Sequence, residues 1–172
     1  MAHIKITIIL LACLLNIIPV FSQHHEHAHQ ENEIGISGGA VYCPDHKEWG
    51  TGIHLHYFRL LDPHSKWSLG GGIEGVWTDN PHFSVNIGAK YEVIDRLSIG
   101  LMPGIMFSKH KKHEDSENYQ GDSDYEANFS LHVETVYDLF HWEKFHLGPA
   151  IDYSWAKDDS HFFFGIHAAY CF

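Results

Sequence analysis

Residues 161–172 read HFFFGIHAAYCF, and the side chains split into two sets by position. Phe162, Phe164, Ile166, Ala168, Tyr170 and Phe172 share one parity; His161, Phe163, Gly165, His167, Ala169 and Cys171 share the other. A period of two is the signature of a strand whose faces meet different surroundings. The first set is apolar at every position. The second mixes imidazole, glycine, thiol and one ring, which is neither a usual core face nor a usual solvated one.

The same alternation recurs upstream. Phe145, Leu147, Pro149, Ile151, Tyr153 and Trp155 alternate with His146, Gly148, Ala150, Asp152 and Ser154. Leu131, Val133 and Thr135 alternate with Ser130, His132 and Glu134; Ile99, Leu101 and Ile105 with Gly100, Met102 and Gly104. Phe83, Val85 and Ile87 oppose Ser84, Asn86 and Gly88, while Leu69 and Ile73 oppose Ser68, Gly70, Gly72 and Glu74. Ile53, Leu55 and Tyr57 oppose Gly52, His54 and His56, and Ile34 and Ile36 oppose Gly35 and Ser37. Eight strands follow, near 33–43, 51–61, 67–78, 83–93, 96–109, 127–138, 145–156 and 161–172. The run of glycines at 70–72 is expected to thin the wall or mark a bulge.

A soluble sandwich also alternates, so the composition of the second face decides. It is Gly, Ser, Asn, His and acid with few Lys or Arg, unlike a surface in water. The apolar face carries aromatics near the strand ends: Trp67 and Trp77, Phe83 and Tyr91, Phe145 and Trp155, Tyr170 and Phe172. An aliphatic band between two aromatic girdles is the lipid-facing pattern of a transmembrane barrel. About ten tilted residues per strand suffice to span the hydrocarbon, and only a closed sheet satisfies its own backbone there. The fold class expected is therefore all-β, an eight-stranded antiparallel up-and-down transmembrane β-barrel. Connections near 62–66, 94–95 and 139–144 form one side; those near 44–50, 79–82, 110–127 and 157–160 form the other, which holds the longest and most charged loop. Short turns on one side and longer loops on the other fit an exported barrel with both termini in the periplasm.

Composition agrees. The 172 residues carry 17 His and 22 acidic residues against 11 Lys and Arg, a formal net charge of −11. That excludes a binder of nucleic-acid phosphates, which needs a basic face. A mean hydropathy of −0.22 argues against a helical membrane protein but not against a barrel. Residues 1–22 read as a secretory signal peptide: Lys5 precedes an apolar run over 6–21, and cleavage is expected after Ser22. The run is short for an anchor, and Leu10-Leu11-Ala12-Cys13 matches a lipobox only loosely. Cys43 and Cys171 fall at opposite ends of neighbouring strands, roughly 25–30 Å apart on strand rise, too far for a disulfide.

Residues 33–172 resemble the small eight-stranded outer-membrane barrels of the OmpA/OmpX type. The most specific motif is Tyr170-Cys171-Phe172 with apolar residues at alternate positions behind it, similar to the terminal aromatic signal read by the barrel-insertion machinery of Gram-negative bacteria. The resemblance implies residence in the outer membrane among its lipids, with that machinery as a partner. It concerns architecture and says little about activity.

The histidines carry the functional question. The segment 23–32 holds His24, His25, His27 and His29 and reads as a disordered periplasmic tail whose imidazoles wrap a borderline ion such as Zn²⁺, Ni²⁺ or Cu²⁺. Parity turns His54, His56, His132, His146 and His167 into the lumen beside Glu74, Glu92, Glu134 and Asp152, with Lys90 as the only inward lysine. Bare carboxylates in a narrow lumen require protons, imidazolium partners or a bound cation. The plainer reading is a polar plug of hydrogen-bonding filler. A third set, His46, His82, His110, His113, Glu114, Asp115, Glu117, Asp122, Asp124, Glu126 and His161, is expected at an acidic outer rim. His64-Ser65 and Asp159-Ser160-His161 show no nucleophile with a placed base and orienting acid, so an enzyme is not expected.

The function expected is binding or buffering of a divalent transition metal ion, zinc first, through His24, His25, His27, His29, His54, His56, Glu74, His132, Glu134 and His167, with a metal transporter as a partner. The competing readings are a structural or adhesive barrel with no metal role and a lipid-modifying enzyme.

Overall fold

The computed structural model describes residues 31–109, 125–157 and 159–172. Eight long strands run β1 (Asn32–Cys43), β2 (Glu48–Leu60), β3 (Trp67–Trp77), β4 (His82–Ile94), β5 (Leu97–Lys109), β6 (Tyr125–Tyr137), β8 (Phe145–Ala156) and β9 (His161–Cys171), and a three-residue β7 (Phe140–Trp142) lies between β6 and β8. Each long strand pairs antiparallel with its sequence neighbour; β1 pairs with β9 and β6 with β8, so the sheet closes into an eight-strand barrel. At the β1–β9 seam the Asn32 N–H donates to the Phe172 carbonyl (3.0 Å) and the Phe172 N–H to the Asn32 carbonyl (2.8 Å). The β1–β9 and β6–β8 pairings close the ring, so the backbone of the mid-wall is paired within the sheet, as hydrocarbon requires.

Side chains obey the expected parity. Ile34, Ile36, Leu55, Leu69, Ile73, Val85, Ile87, Leu101, Ile105, Ile151, Phe164 and Ile166 all point outward and are exposed. Packed in water, so large an apolar surface would drive association; facing acyl chains, it is the stable arrangement. Aromatic pairs ring both margins. Trp67 packs on Tyr91 (4.6 Å between centroids) and Phe145 on Tyr170 (4.9 Å) at one end; Phe83 stacks on Phe107 (4.8 Å) and Tyr153 packs on Phe162 (4.8 Å) at the other.

The first end, where β2–β3, β4–β5 and β6–β8 turn and where β1 starts and β9 finishes, is the turn end; the opposite one is the loop end. Cys43 lies at the loop end and Cys171 at the turn end, both free. Three expectations need correction. The connection at 139–144 is not a simple turn: Phe140, His141 and Trp142 continue the β8 ladder, because Phe140 and Trp142 extend the outer aromatic surface and stack at 5.7 Å. Glu92 is exposed rather than buried in the lumen: it keeps its inward register opposite Ser98, but it stands at the turn-end margin, just before the register shift between Glu92 and Ile94 and the turn at Arg96, whose φ is +70°. Gly70, Gly71 and Gly72 sit in regular register; they do not mark a bulge, since the irregularity lies in β4.

Side chains fill the lumen, as eight strands dictate. Toward the loop end Val41, Val76, Met106 and Phe163 are 0–1% exposed. Below them lies a polar stack that includes Ser37, His54, Glu74, Ser84, Asn86, Ser130, His132, Glu134, Asp152, Ser154 and His167, all buried.

Candidate metal centre

Alternation along each strand projects one imidazole or carboxylate inward every second residue, and closure brings eight such rows within reach of each other. The result is a column of ionisable groups. At the loop end His82 Nδ1 lies 3.2 Å from Asp159 Oδ2, and His82 Nε2 lies 3.2 Å from His161 Nδ1. His161 Nε2 donates to Glu74 Oε1 at 3.0 Å. His82 and His161 are thus buried lumen residues, not the solvated rim expected from their neighbouring loops: both occupy the first inward position of a strand. His161 spends its two nitrogens on His82 and Glu74, and the Ser160 N–H donates to Asp45, so these residues form no serine relay.

Mid-height, four ligand-type side chains from three strands converge: His54 of β2, His132 and Glu134 of β6, and Asp152 of β8. Their ligand atoms lie within 4.8 Å of one another, and all four residues are buried. The hydrogen bonds around them set the direction of each lone pair. His54 Nδ1 donates to Glu134 Oε2 at 2.9 Å, and a neutral imidazole that donates from Nδ1 keeps its lone pair on Nε2. Ser154 gives its hydroxyl proton to Glu74 (3.4 Å), so its oxygen accepts from His132 Nδ1 (2.7 Å) and leaves the His132 lone pair on Nε2 as well. His54 Nε2, His132 Nε2 and both oxygens of Asp152 have no hydrogen-bond partner. An unpaired buried polar atom costs about 1–3 kcal/mol, and a buried carboxylate with no counter-charge costs more. Two imidazoles and two carboxylates, with the Ser154 hydroxyl fixing the orientation of His132, form the donor set of a zinc-type centre.

Space is reserved for this arrangement. A Cβ on Gly72 would come 2.6 Å from His54 Nε2, and one on Gly35 would come 2.3 Å from His56 Nε2 and 2.7 Å from His167 Cε1. The inward glycines therefore make room for imidazoles on the adjacent strands.

Nearer the turn end His56 Nε2 donates to Glu33 Oε1 at 3.2 Å, and Lys90 forms an ion pair with the same carboxylate. The rings of His56 and His167 stack at 5.0 Å, and His167 Nδ1 hydrogen-bonds with Ser37 Oγ at 3.1 Å. At the mouth His146 Nδ1 donates to Asp138 Oδ2 (3.0 Å), and its Nε2 lies 3.7 Å from Cys171 Sγ.

The expected ligands therefore divide. His54, His132 and Glu134 meet in one centre; His56 and His167 form a lower tier; Glu74 turns up toward His161 and lies 3.8 Å from His132 Nδ1. His24, His25, His27 and His29, and the loop residues His110, His113, Glu114, Asp115, Glu117, Asp122 and Asp124, lie outside the described residues. Asp152, a lumen acid by parity, is a candidate ligand the sequence pattern does not single out. Its signal is the register, which sets it directly across from Glu134; two acids side by side repel unless something positive joins them. Glu33, at the start of the first strand and not among the expected ligands, supplies the lower carboxylate.

No protein-family model matches the sequence, and no curated protein matches it. Solved structures do. The attachment invasion locus protein Ail of Yersinia pestis, in complex with the heparin analogue sucrose octasulfate, is 19% identical over 83% of this chain and 99% of that one, with a TM-score of 0.55. Neisserial surface protein A is 9% identical over 82% of this chain and 96% of that one, with a TM-score of 0.58. At such identities the likeness is one of architecture, and together with the closed sheet and its apolar exterior it shows that the chain has the fold of the small eight-stranded outer-membrane β-barrels of the OmpA/OmpX type.

Proposed function

We propose that this barrel binds a divalent transition metal ion, zinc foremost and nickel or copper by the same chemistry, at His54, His132, Glu134 and Asp152, and that it acts as a metal-binding protein of the outer membrane rather than as an enzyme. The observation that carries the reading is the convergence of four buried ligand-type residues whose ligand atoms lie within 4.8 Å of one another, where His54 Nε2, His132 Nε2 and both Asp152 oxygens lack hydrogen-bond partners. Nitrogen and oxygen ligands in a tetrahedral-sized cluster suit zinc. The net charge of −11 draws cations to the barrel and disfavours a polyanion such as the ligand seen with Ail. In this orientation the turn end and both termini face the periplasm, after removal of residues 1–22, and the segment 23–32 supplies further imidazoles beside the turn-end mouth. A periplasmic metal transporter is the partner that would receive the ion. Lipids of the outer membrane surround the wall, and the insertion machinery reads the last strand.

The test is zinc titration of the refolded protein in detergent, with and without residues 23–30. Binding at micromolar or tighter that survives loss of that segment, disappears in His132→Ala, and shows only nitrogen and oxygen neighbours in X-ray absorption is the expected result. Affinity no better than roughly millimolar without the segment would leave the structural or adhesive reading in place.

A further inference from the structure

The central ion needs a route, and the two halves of the lumen differ. Toward the loop end Val41, Val76, Met106 and Phe163 close the bore, each 0–1% exposed. Toward the turn end a small cavity is lined by Glu33, His56, Lys90, Asp138 and His167 and by the central carboxylate Glu134. Its walls repeat metal-ligand chemistry. Glu33, His56 and His167 bring ligand atoms within 4.8 Å of one another; so do Glu33, His146 and Cys171. Glu33 belongs to both sets. His56 Nδ1, buried and without a hydrogen-bond partner, faces Glu134 Oε2 at 4.0 Å. Three ligand sets are thus stacked from the mouth to the centre, adjacent ones joined by Glu33 or by the short gap from His56 to Glu134. Lys90, an ammonium that lines this cavity, is ion-paired with the shared Glu33 and lies 5.1 Å from the Phe58 ring centroid.

We propose that the turn-end vestibule is a second metal station, with Glu33, His146 and Cys171 as its outer ligands and Glu33, His56 and His167 as its inner ones, through which ions reach the central site from the turn end alone. Lys90 is the tethered cation that an arriving ion displaces from Glu33. The station accepts a borderline to soft divalent ion, because Cys171 adds a thiolate where the central site has only nitrogen and oxygen. On binding, the Cys171 thiol gives up its proton to solvent at the mouth and its sulfur lone pair to the ion. The inference rests on the central site as the destination.

Cobalt(II) titration of the refolded protein lacking residues 23–30 separates the two, because a thiolate-to-cobalt charge-transfer band reports the station and not the centre. The expected result is two equivalents and the band. Cys171→Ser removes the band and one equivalent; Cys43→Ser keeps both; His132→Ala keeps the band and loses the other equivalent. Lys90→Met tightens the banded site on the order of tenfold, since a positive charge beside an incoming cation is removed. In Cys43→Ser protein, capping Cys171 with a methylthio group slows arrival of cobalt at the centre. One equivalent without a band, abolished by His132→Ala, would overturn the station while the central reading stands. A band that survives Cys171→Ser, an unchanged arrival rate after capping, or a banded site weakened by Lys90→Met would overturn it too. A band without a His132-dependent equivalent would remove the destination and with it the path. No cobalt bound at all would end both.

Discussion

At the scale of single residues, the unusual feature is a carboxylate buried at 1% exposure with neither oxygen paired. Asp152 is a cost to the ion-free barrel and a gain to the ion-bound one, so the two effects of Asp152→Asn have opposite signs. Replacing the acid by an amide is expected to stabilise the ion-free barrel by roughly 1–3 kcal/mol, because the amide N–H can donate to Glu134 directly across the strand pair. The same change is expected to weaken zinc binding at least tenfold, as loss of a first ligand exceeds the 10–100-fold typical of outer-shell partners. Urea unfolding with chelator and zinc titration check the two halves separately. Gly35 makes a comparable point about space. Gly35→Ala forces the His56 and His167 rings apart, and overpacking of this kind costs about 1–3 kcal/mol. The vestibule cobalt band should weaken while the His132-dependent equivalent persists.

At the scale of the strand, the outer face sets the energy and the inner face the chemistry. Ile87 stands near the middle of β4 and is 70% exposed, whereas Trp77 closes the loop end of β3. If the band between the girdles meets acyl chains, Ile87→Arg costs about 2–4 kcal/mol and Trp77→Arg about 0–1 kcal/mol. Unfolding of the two variants from phospholipid vesicles measures this gradient of depth; equal costs would argue against the placement of the midplane. The strands also explain why the sequence overstated the lumen at one point. Glu92 keeps inward parity, paired with Ser98 ahead of the register shift, but it lies at the turn-end margin where the lumen opens. A period-two count gives the face a side chain takes, not its distance from the mouth.

At the scale of the whole molecule, ion binding and folding are linked, since His54, His132, Glu134 and Asp152 come from three strands that only the closed barrel brings together. Zinc at about one hundred times its dissociation constant is expected to add about 2.7 kcal/mol to the unfolding free energy of the refolded barrel; no change in the urea midpoint with zinc would contradict a site built by the fold. Binding also depends on pH. Both imidazoles must be neutral to offer a lone pair, so protons compete with the ion for the same nitrogens. Affinity is therefore expected to fall as pH is lowered, with protons released on binding. Chelator competition across a pH series reads the slope, and a flat profile would exclude histidine ligation.

The alternation in 161–172 and its seven relatives was enough to determine the barrel, its strand number and which face meets lipid, because parity is a local property and each strand repeats it independently. Even the inward direction of His54, His56, His132, His167, Glu74, Glu134 and Asp152 was legible one strand at a time. Height was not. Register and closure decide which inward residues share a level, and these depend on strand pairing around the whole ring. Only the tertiary structure could set Glu134 beside Asp152, lift Glu74 to His161, bury His82 and His161, and bring Glu33 to His56 and Lys90. The physical reason is that a ligand set is a coincidence in three dimensions among residues far apart along the chain, whereas a lipid-facing stripe is written every second residue.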